Sequence, residues 1–215
     1  MPQGNKTHDE PLAEAKFQNL CSHYKDSYDI HLSSRKEREI IFYALLFVIS
    51  FFSLQITSAD FANIAFSEFA KQQSGISIDK NSDFLSSLSW LLLFGLSAKY
   101  YQIHTRIERE YKYLHSIEEI INAYYPKSMA FTREGKSYLS NYPAFSDWMD
   151  FVYKTIFPLS IVISSTTKIY RECFTANVMH LILYVSIIIS TTLYFLYANS
   201  YAIKKTKAKL ASFFH

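Results

Sequence analysis

Residues 40–57 read IIFYALLFVISFFSLQIT, a run of 18 residues without a charged side chain. A helix rises about 1.5 Å per residue, so this run spans roughly 27 Å, close to the thickness of a bilayer core. Three more apolar blocks follow it, at 84–103, 151–167 and 178–203. Core helices of soluble proteins carry a polar face, and these blocks do not. The sequence therefore predicts an all-α, polytopic membrane protein with four transmembrane helices and a cytoplasmic helical region.

The composition excludes several other classes of protein. Of 215 residues, 49% are hydrophobic and 17% aromatic, with only 4 glycines and 5 prolines, which excludes a disordered or collagen-like chain. Two cysteines are too few for a disulfide scaffold. A net charge of +3 is too small to indicate a nucleic-acid-binding protein, so we expect no direct nucleic-acid binding.

Lysine and arginine are distributed unevenly between the predicted connections. Of the 22 lysine and arginine residues, 17 lie in three segments: before the first block, between the second and third blocks (counting Lys99 there) and after the fourth block. Four lie in the two other connections. Cytoplasmic loops of membrane proteins carry this excess of basic residues. We therefore expect a multi-pass membrane protein with both termini in the cytoplasm. The expected segments are cytoplasmic at 1–39, 104–150 and 204–215 and external at 58–83 and 168–177.

Two of the cytoplasmic segments carry helical patterns of their own. After Pro11, apolar side chains recur every three or four residues, which is typical of an amphipathic helix. A second helix is predicted to continue from the second block, from Lys99 to Tyr125. Its apolar stripe needs a partner, either the N-terminal helix or a copy from another subunit. The candidate oligomerisation residues of this stripe are Ile103, Ile107, Leu114, Ile117 and Ile121.

The first external connection predicts a short amphipathic helix. Ser58 is a candidate for its N-cap and Gly75 for its end. Its aromatic residues suit a helix that lies along the outer surface of the membrane. A simple extension of the first span is the alternative.

Hydroxyl side chains recur at helical spacing in the third and fourth blocks. They either line an aqueous path or let helices pack closely and bond back to carbonyls four residues earlier. Both interpretations stay open from the sequence. The candidate residues are Ser160, Ser164, Thr167, Ser186 and Ser190.

Residues 130–150, AFTREGKSYLSNYPAFSDWMD, combine aromatic with charged side chains before the third block. Arginine beside aromatic rings can clamp a nucleotide or a phosphate, but an aromatic belt at the membrane surface needs the same residues. The candidate contacts to a cytoplasmic ligand or partner are Arg133, Lys136, Tyr138 and Trp148. Lys154 is expected to reach the interface or to pair with Asp150.

Sequence motifs for catalysis and cofactor binding are absent. There is no GxGxxG, GxxxxGK, HExxH, CxxC or GxSxG pattern. His104 and His115 share a helix but lie too far apart for joint coordination of a metal. We therefore expect no enzyme activity, no cofactor and no metal.

The layout resembles the small multi-spanning membrane effectors of bacterial antiviral defence systems, of the nucleotide-signalling or CRISPR-associated type. The resemblance lies in the length, the four predicted spans, the cytoplasmic helical part and the lack of an enzyme motif. It implies a homo-oligomer that opens or disrupts the inner membrane when a cytoplasmic protein or nucleotide signal is sensed. The expected function is a non-enzymatic, pore-forming membrane protein. The alternative is a membrane scaffold or accessory subunit that docks a cytoplasmic partner without conducting.

Overall fold

The computed structural model describes residues 9–75, 84–124, 144–172 and 177–198. Every regular element in these ranges is helical, so the predicted all-α class is confirmed for this part of the chain. The elements are α1 (Asp9–Thr57), α2 (Ala59–Ser74), α3 (Phe84–Asn122), α4 (Ala144–Phe151), a π-helical turn (Val152–Ile156), α5 (Phe157–Arg171) and α6 (Val178–Ala198).

The chain divides into two compact units. Unit 1 consists of Met1–Arg38 and Ile103–Asp147, and unit 2 consists of Glu39–Gln102 and Trp148–His215. Helices α1 and α3 each contribute residues to both units.

In unit 1, the N-terminal part of α1 packs against the C-terminal part of α3. The Tyr24 hydroxyl donates a hydrogen bond to the Glu118 carboxylate at 2.8 Å, and the rings of Phe17 and Tyr124 lie 5.1 Å apart between centroids. The apolar stripe on α3 is buried except at Ile107, which is half-buried. The N-terminal part of α1 thus lies along the part of α3 that carries the stripe, and oligomerisation through the stripe stays a prediction.

In unit 2, segments of α1, α3, α5 and α6 share one apolar core. Phe52 of α1 meets Trp90 near the start of α3, with 4.9 Å between ring centroids. Phe157, at the start of α5, contacts both Phe42 of α1 and Tyr100 of α3, at 4.7 and 5.2 Å. Because the later residue of α1 meets the earlier residue of α3, these two helices run in opposite directions.

Helices α5 and α6 continue this alternation. Lys168, near the end of α5, and His180, near the start of α6, both lie beside Trp90. Tyr194, towards the end of α6, stacks on Tyr101 of α3 at 4.7 Å. The four segments therefore run alternately up and down between two ends of the core, here called the lysine end (around Lys168) and the tyrosine end (around Tyr101).

Two helices are long and apolar enough to cross a membrane, the Glu14–Thr57 part of α1 and α6. Only 22% of the apolar window of each is buried, whereas the core helix of a soluble protein is mostly buried. Large exposed apolar side chains are also present on α3 and α5. Examples from the four helices are Phe47, Leu92, Ile163, Ile182 and Leu193.

Helix α2 has the predicted boundaries. It follows Ser58, whose side chain makes no capping hydrogen bond, and ends at Gly75. Gly75 has φ 70°, and its N–H donates to the Lys71 carbonyl. Glycine adopts this left-handed conformation without a clash from a Cβ atom, which explains why the helix ends there. Phe61 and Phe69 of α2 are exposed.

The π-helical turn in unit 2 is linked to Pro158. The N–H of Phe157 donates to the Val152 carbonyl, five residues earlier. The Tyr153 carbonyl would pair next with residue 158, but proline has no N–H to donate. The buried Tyr100 hydroxyl donates to the Tyr153 carbonyl instead, at 2.9 Å. A side chain of α3 thus replaces the backbone donor that Pro158 lacks.

We expect Y100F to lower the stability of the protein, because it removes the hydrogen bond from the buried Tyr100 side chain to the Tyr153 carbonyl. The expected loss is about 1–3 kcal/mol, measured by thermal unfolding in detergent. Y170F, at an exposed tyrosine, is the control and should leave the melting temperature unchanged. In a P158A background residue 158 regains an N–H, so Y100F should lower the stability less in that background than in the wild type. An equal loss in both backgrounds would contradict this account of the turn.

Candidate functional site

A polar cluster lies at the lysine end of unit 2, and all four helices contribute to it. Lys168 and Glu172 come from the end of α5, His180 from the start of α6, Gln55 from α1 and Ser89 from α3. Lys168 and His180 are each only 3% exposed. Ionisable side chains so deeply placed require their hydrogen-bond and charge partners from the protein itself.

The Glu172 carboxylate is the acceptor at the centre of this cluster. Its Oε1 atom accepts from the Ser86 hydroxyl at 3.0 Å and lies 3.8 Å from the Lys168 ammonium nitrogen. Its Oε2 atom accepts from the indole N–H of Trp90 at 3.3 Å and lies 3.1 Å from Nδ1 of His180. Partners from α3, α5 and α6 therefore meet on one carboxylate.

The Lys168 ammonium is surrounded by groups that stabilise a cation. It donates hydrogen bonds to Oε1 of Gln55 and to Oγ of Ser89, the latter at 3.2 Å. It also lies 4.2 Å from the centroid of the Phe52 ring, within the range of a cation–π contact. The side chain thus contacts α1 and α3 from its position on α5.

Lys168 is the first residue after the third predicted span, 151–167. Burial lowers the pKa of its ammonium to about 8, and the neighbouring Glu172 carboxylate opposes that shift. At pH 7 the side chain is still mainly protonated, so the cluster contains a buried charge.

The His180 ring connects Glu172 to α3. Its Nε2 atom lies 2.9 Å from the Ser87 hydroxyl oxygen, on the opposite side from Glu172, and the ring stacks on Trp90. A hydroxyl can donate to or accept from a ring nitrogen. The Ser87 hydroxyl can therefore pair with Nε2 whether or not that nitrogen carries a hydrogen.

The rest of the unit 2 core changes in polarity along its length. At the tyrosine end, the Tyr101 hydroxyl and the Thr191 hydroxyl lie 2.9 Å apart, and both are buried. Between the two ends the core is filled by apolar side chains. They include Val48, Leu93, Ile161, Leu183 and Ile187.

The five candidate hydroxyl residues lie at intermediate or outer positions on α5 and α6. Ser160, Ser164, Ser186 and Ser190 are half-buried, and Thr167 is exposed. Three of them donate to backbone carbonyls three or four residues earlier, namely Ser160 to Phe157, Thr167 to Ile163 and Ser186 to Ile182. The fully interior hydroxyls of these helices are Ser165 and Thr191. A path-lining role for the five residues stays a prediction.

The candidate cytoplasmic contacts fall mostly outside the described residues, which is the case for Arg133, Lys136 and Tyr138. Trp148 is exposed on α4, with its ring 5.9 Å from that of Phe151. Lys154 pairs with Asp150 at 2.7 Å, which is one of the two outcomes expected for it.

Sequence reasoning did not identify the cluster at the lysine end. The sequence pattern that could have indicated this cluster is a pair of opposite charges four residues apart, Lys168 and Glu172, directly after an apolar block. His180, two residues inside the next apolar block, was a second signal. The roles of Gln55 and Ser89 depend on contacts between helices that are distant in sequence.

Comparison of this chain with protein-family models, with curated proteins and with solved structures finds no match. Within the described ranges, no group of three or more His, Cys, Asp or Glu side chains is placed to hold a metal ion.

We expect E172Q to destabilise unit 2 strongly, because it leaves the Lys168 ammonium buried without its carboxylate. Removing one partner of a buried ion pair typically costs about 3–5 kcal/mol, whereas replacing both partners costs much less. The double variant K168M/E172Q should therefore be more stable than E172Q alone in thermal unfolding.

The matched control is the half-exposed pair of Lys154 and Asp150, which has the same four-residue spacing. D150N should change the stability by about 0–1 kcal/mol. If E172Q and D150N had equally small effects, the buried pair would have no special structural role.

Proposed function

We propose that the chain is a four-span membrane protein that gates a pathway for ions across the bacterial inner membrane. The proposed spans are 40–57, 84–103, 151–167 and 178–203, with both termini in the cytoplasm. Two features support this topology. The four helical segments alternate in direction around one core, and the basic residues of the sequence alternate in the same way between the connections.

The surface of unit 2 supports a lipid environment. Large apolar side chains point outwards on all four helices, while Lys168, Glu172 and His180 lie at or near the interior. A soluble protein buries its apolar side chains and exposes its charged ones. Extended exposed apolar surfaces mark contact with a membrane or a partner. Lipid is the partner that would cover all four helices at once.

The single observation that carries the proposed gating function is the ionisable cluster inside this bundle. Lys168 and Glu172 lie just after the third proposed span and His180 lies inside the fourth, and ionisable residues in membrane-embedded bundles typically belong to ion or proton pathways. Here a lysine, a glutamate and a histidine interact at one end of the core, and apolar side chains fill its middle. Such an arrangement is suited to a closed state that opens when the helices move.

Control from the cytoplasm and assembly into a homo-oligomer are further parts of the proposal. Helices α1 and α3 supply residues to both units, so a signal bound by unit 1 would act on helices that also build the core of unit 2. The chain acts without enzyme chemistry in this proposal. A role as an antiviral effector, triggered by a cytoplasmic protein or nucleotide, follows from the resemblance in layout.

A membrane scaffold that docks a cytoplasmic partner is the second candidate. It is favoured by the apolar side chains that fill the middle of the core, since a scaffold needs no path there. The two candidates differ in permeability and not in topology.

We expect a reporter fused after His215 to be active in the cytoplasm and one inserted after Gly75 to be active outside it. The basic residues place these two points on opposite sides of the membrane. Matched reporters that work in only one compartment would measure this. The reverse result at either point would contradict the four-span topology.

We expect overproduction of the protein to depolarise bacterial cells, as measured with a potential-sensitive dye. S190F should abolish depolarisation without reducing the assembled protein if Ser190 lines the path. If Ser190 packs against a neighbouring helix, overfilling costs about 1–3 kcal/mol and the yield falls instead. Y170F, at an exposed position, is the control that should behave as the wild type. Full membrane yield without any depolarisation would favour the scaffold.

A further inference from the structure

The surroundings of Lys168 have the chemistry of a binding site for a small cation. Two oxygen atoms, Oε1 of Gln55 and Oγ of Ser89, and the face of the Phe52 ring contact the ammonium group. Carbonyl and hydroxyl oxygens with an aromatic face are the groups that hold ammonium-like cations in proteins. The Glu172 carboxylate, 3.8 Å away, adds a negative charge just beyond these contacts. We call Gln55, Ser89 and Phe52 the cation cage.

The Ser89 hydroxyl of the cage has a hydrogen-bond acceptor within the protein even without Lys168. The Ser89 hydroxyl lies 2.7 Å from Oε1 of Gln55 and 2.8 Å from the Ser86 carbonyl, and can donate to either acceptor. In both cases lone pairs of the Ser89 and Gln55 oxygens remain available to a cation. Phe52 is fixed by its edge-on contact with Trp90.

We propose that the cation cage is a binding site for a monovalent cation of ammonium size, which the protein fills with its own Lys168 side chain. A free cation and the Lys168 ammonium cannot occupy the cage together, because they would overlap and repel each other. The Lys168 side chain therefore acts as a tethered cation that closes the lysine end. This role in closing the path rests on the proposed function, whereas the binding site itself does not.

The test is rescue of K168A by added methylammonium, which has the same charged group as the lost side chain. A ligand that binds only the folded state raises the melting temperature, and this shift depends on its concentration. For a chain of this length, about 100 mM methylammonium chloride binding with a Kd of about 10 mM should raise the apparent melting temperature by about 3–6 °C. N-methylglucamine chloride at the same concentration is too bulky for the cage and should have no effect. Wild-type protein, whose cage is occupied, should respond to neither salt.

Two variants test whether the cage itself binds the added cation. K154A removes a lysine that also pairs with a carboxylate four residues away but lies outside the cation cage, and methylammonium should not stabilise it. In K168A/Q55L the cage loses an oxygen, so the methylammonium shift should fall to less than half of that in K168A. A shift that persists fully in K168A/Q55L would mean that the added cation pairs with Glu172 alone, and would overturn the proposal.

Two other results would also overturn the proposal: no stabilisation of K168A by methylammonium relative to N-methylglucamine, or equal stabilisation of K154A. If K168A cannot be purified without a ligand, extraction in methylammonium chloride should restore its yield, and equal loss in both salts would contradict the site. These readouts measure binding in detergent. Rescue of K168A together with the absence of depolarisation by any variant would keep the cation site and reject the proposed ion pathway.

Discussion

The burial of the Lys168 ammonium is the constraint on which the lysine end of unit 2 depends. A charge in the interior costs several kcal/mol unless the protein supplies its partners. Here Gln55 comes from α1, Ser89 from α3 and Glu172 from α5 itself. A shift of either neighbouring helix by one turn, about 5.4 Å, would take its oxygen out of hydrogen-bond range. The contacts of Lys168 therefore tie the positions of α1 and α3 to that of α5 at this end.

The same requirement appears in the backbone at the tyrosine end. Pro158 leaves the Tyr153 carbonyl without a backbone donor, and the Tyr100 hydroxyl of α3 replaces it. In a lipid environment no water is available to do this, so helices that contain proline depend on donors from their neighbours. At each end of unit 2 a polar group next to α5 is therefore bonded to α3, the carboxylate of Glu172 just after the helix and the carbonyl of Tyr153 in the π-helical turn before it.

The sequence predicted features that depend on local patterns. Long apolar blocks indicated the all-α class, and Gly75 marked the end of α2 because its conformation is a property of one residue. The polar cluster was missed because its members come from four helices, and helix contacts cannot be read from spacing alone. The hydroxyls show the same difficulty. Spacing of four residues fits Ser160 and Ser164, but the deepest hydroxyl of α5 belongs to Ser165, one residue and about 100° further round the helix.

In the proposed pathway, the lysine end and the apolar middle would oppose ion passage by different physical effects. The Lys168 ammonium repels a cation electrostatically. Among apolar core side chains such as Leu93, an ion would lose its hydration water and find no polar groups to replace it. Removing the lysine charge would abolish only the first barrier. Separating the helices would weaken both, because α1 and α3, which supply the cage, also supply part of the apolar core. Since α1 and α3 also belong to unit 1, movement of these two helices is the simplest way in which one event could open both barriers of the proposed pathway.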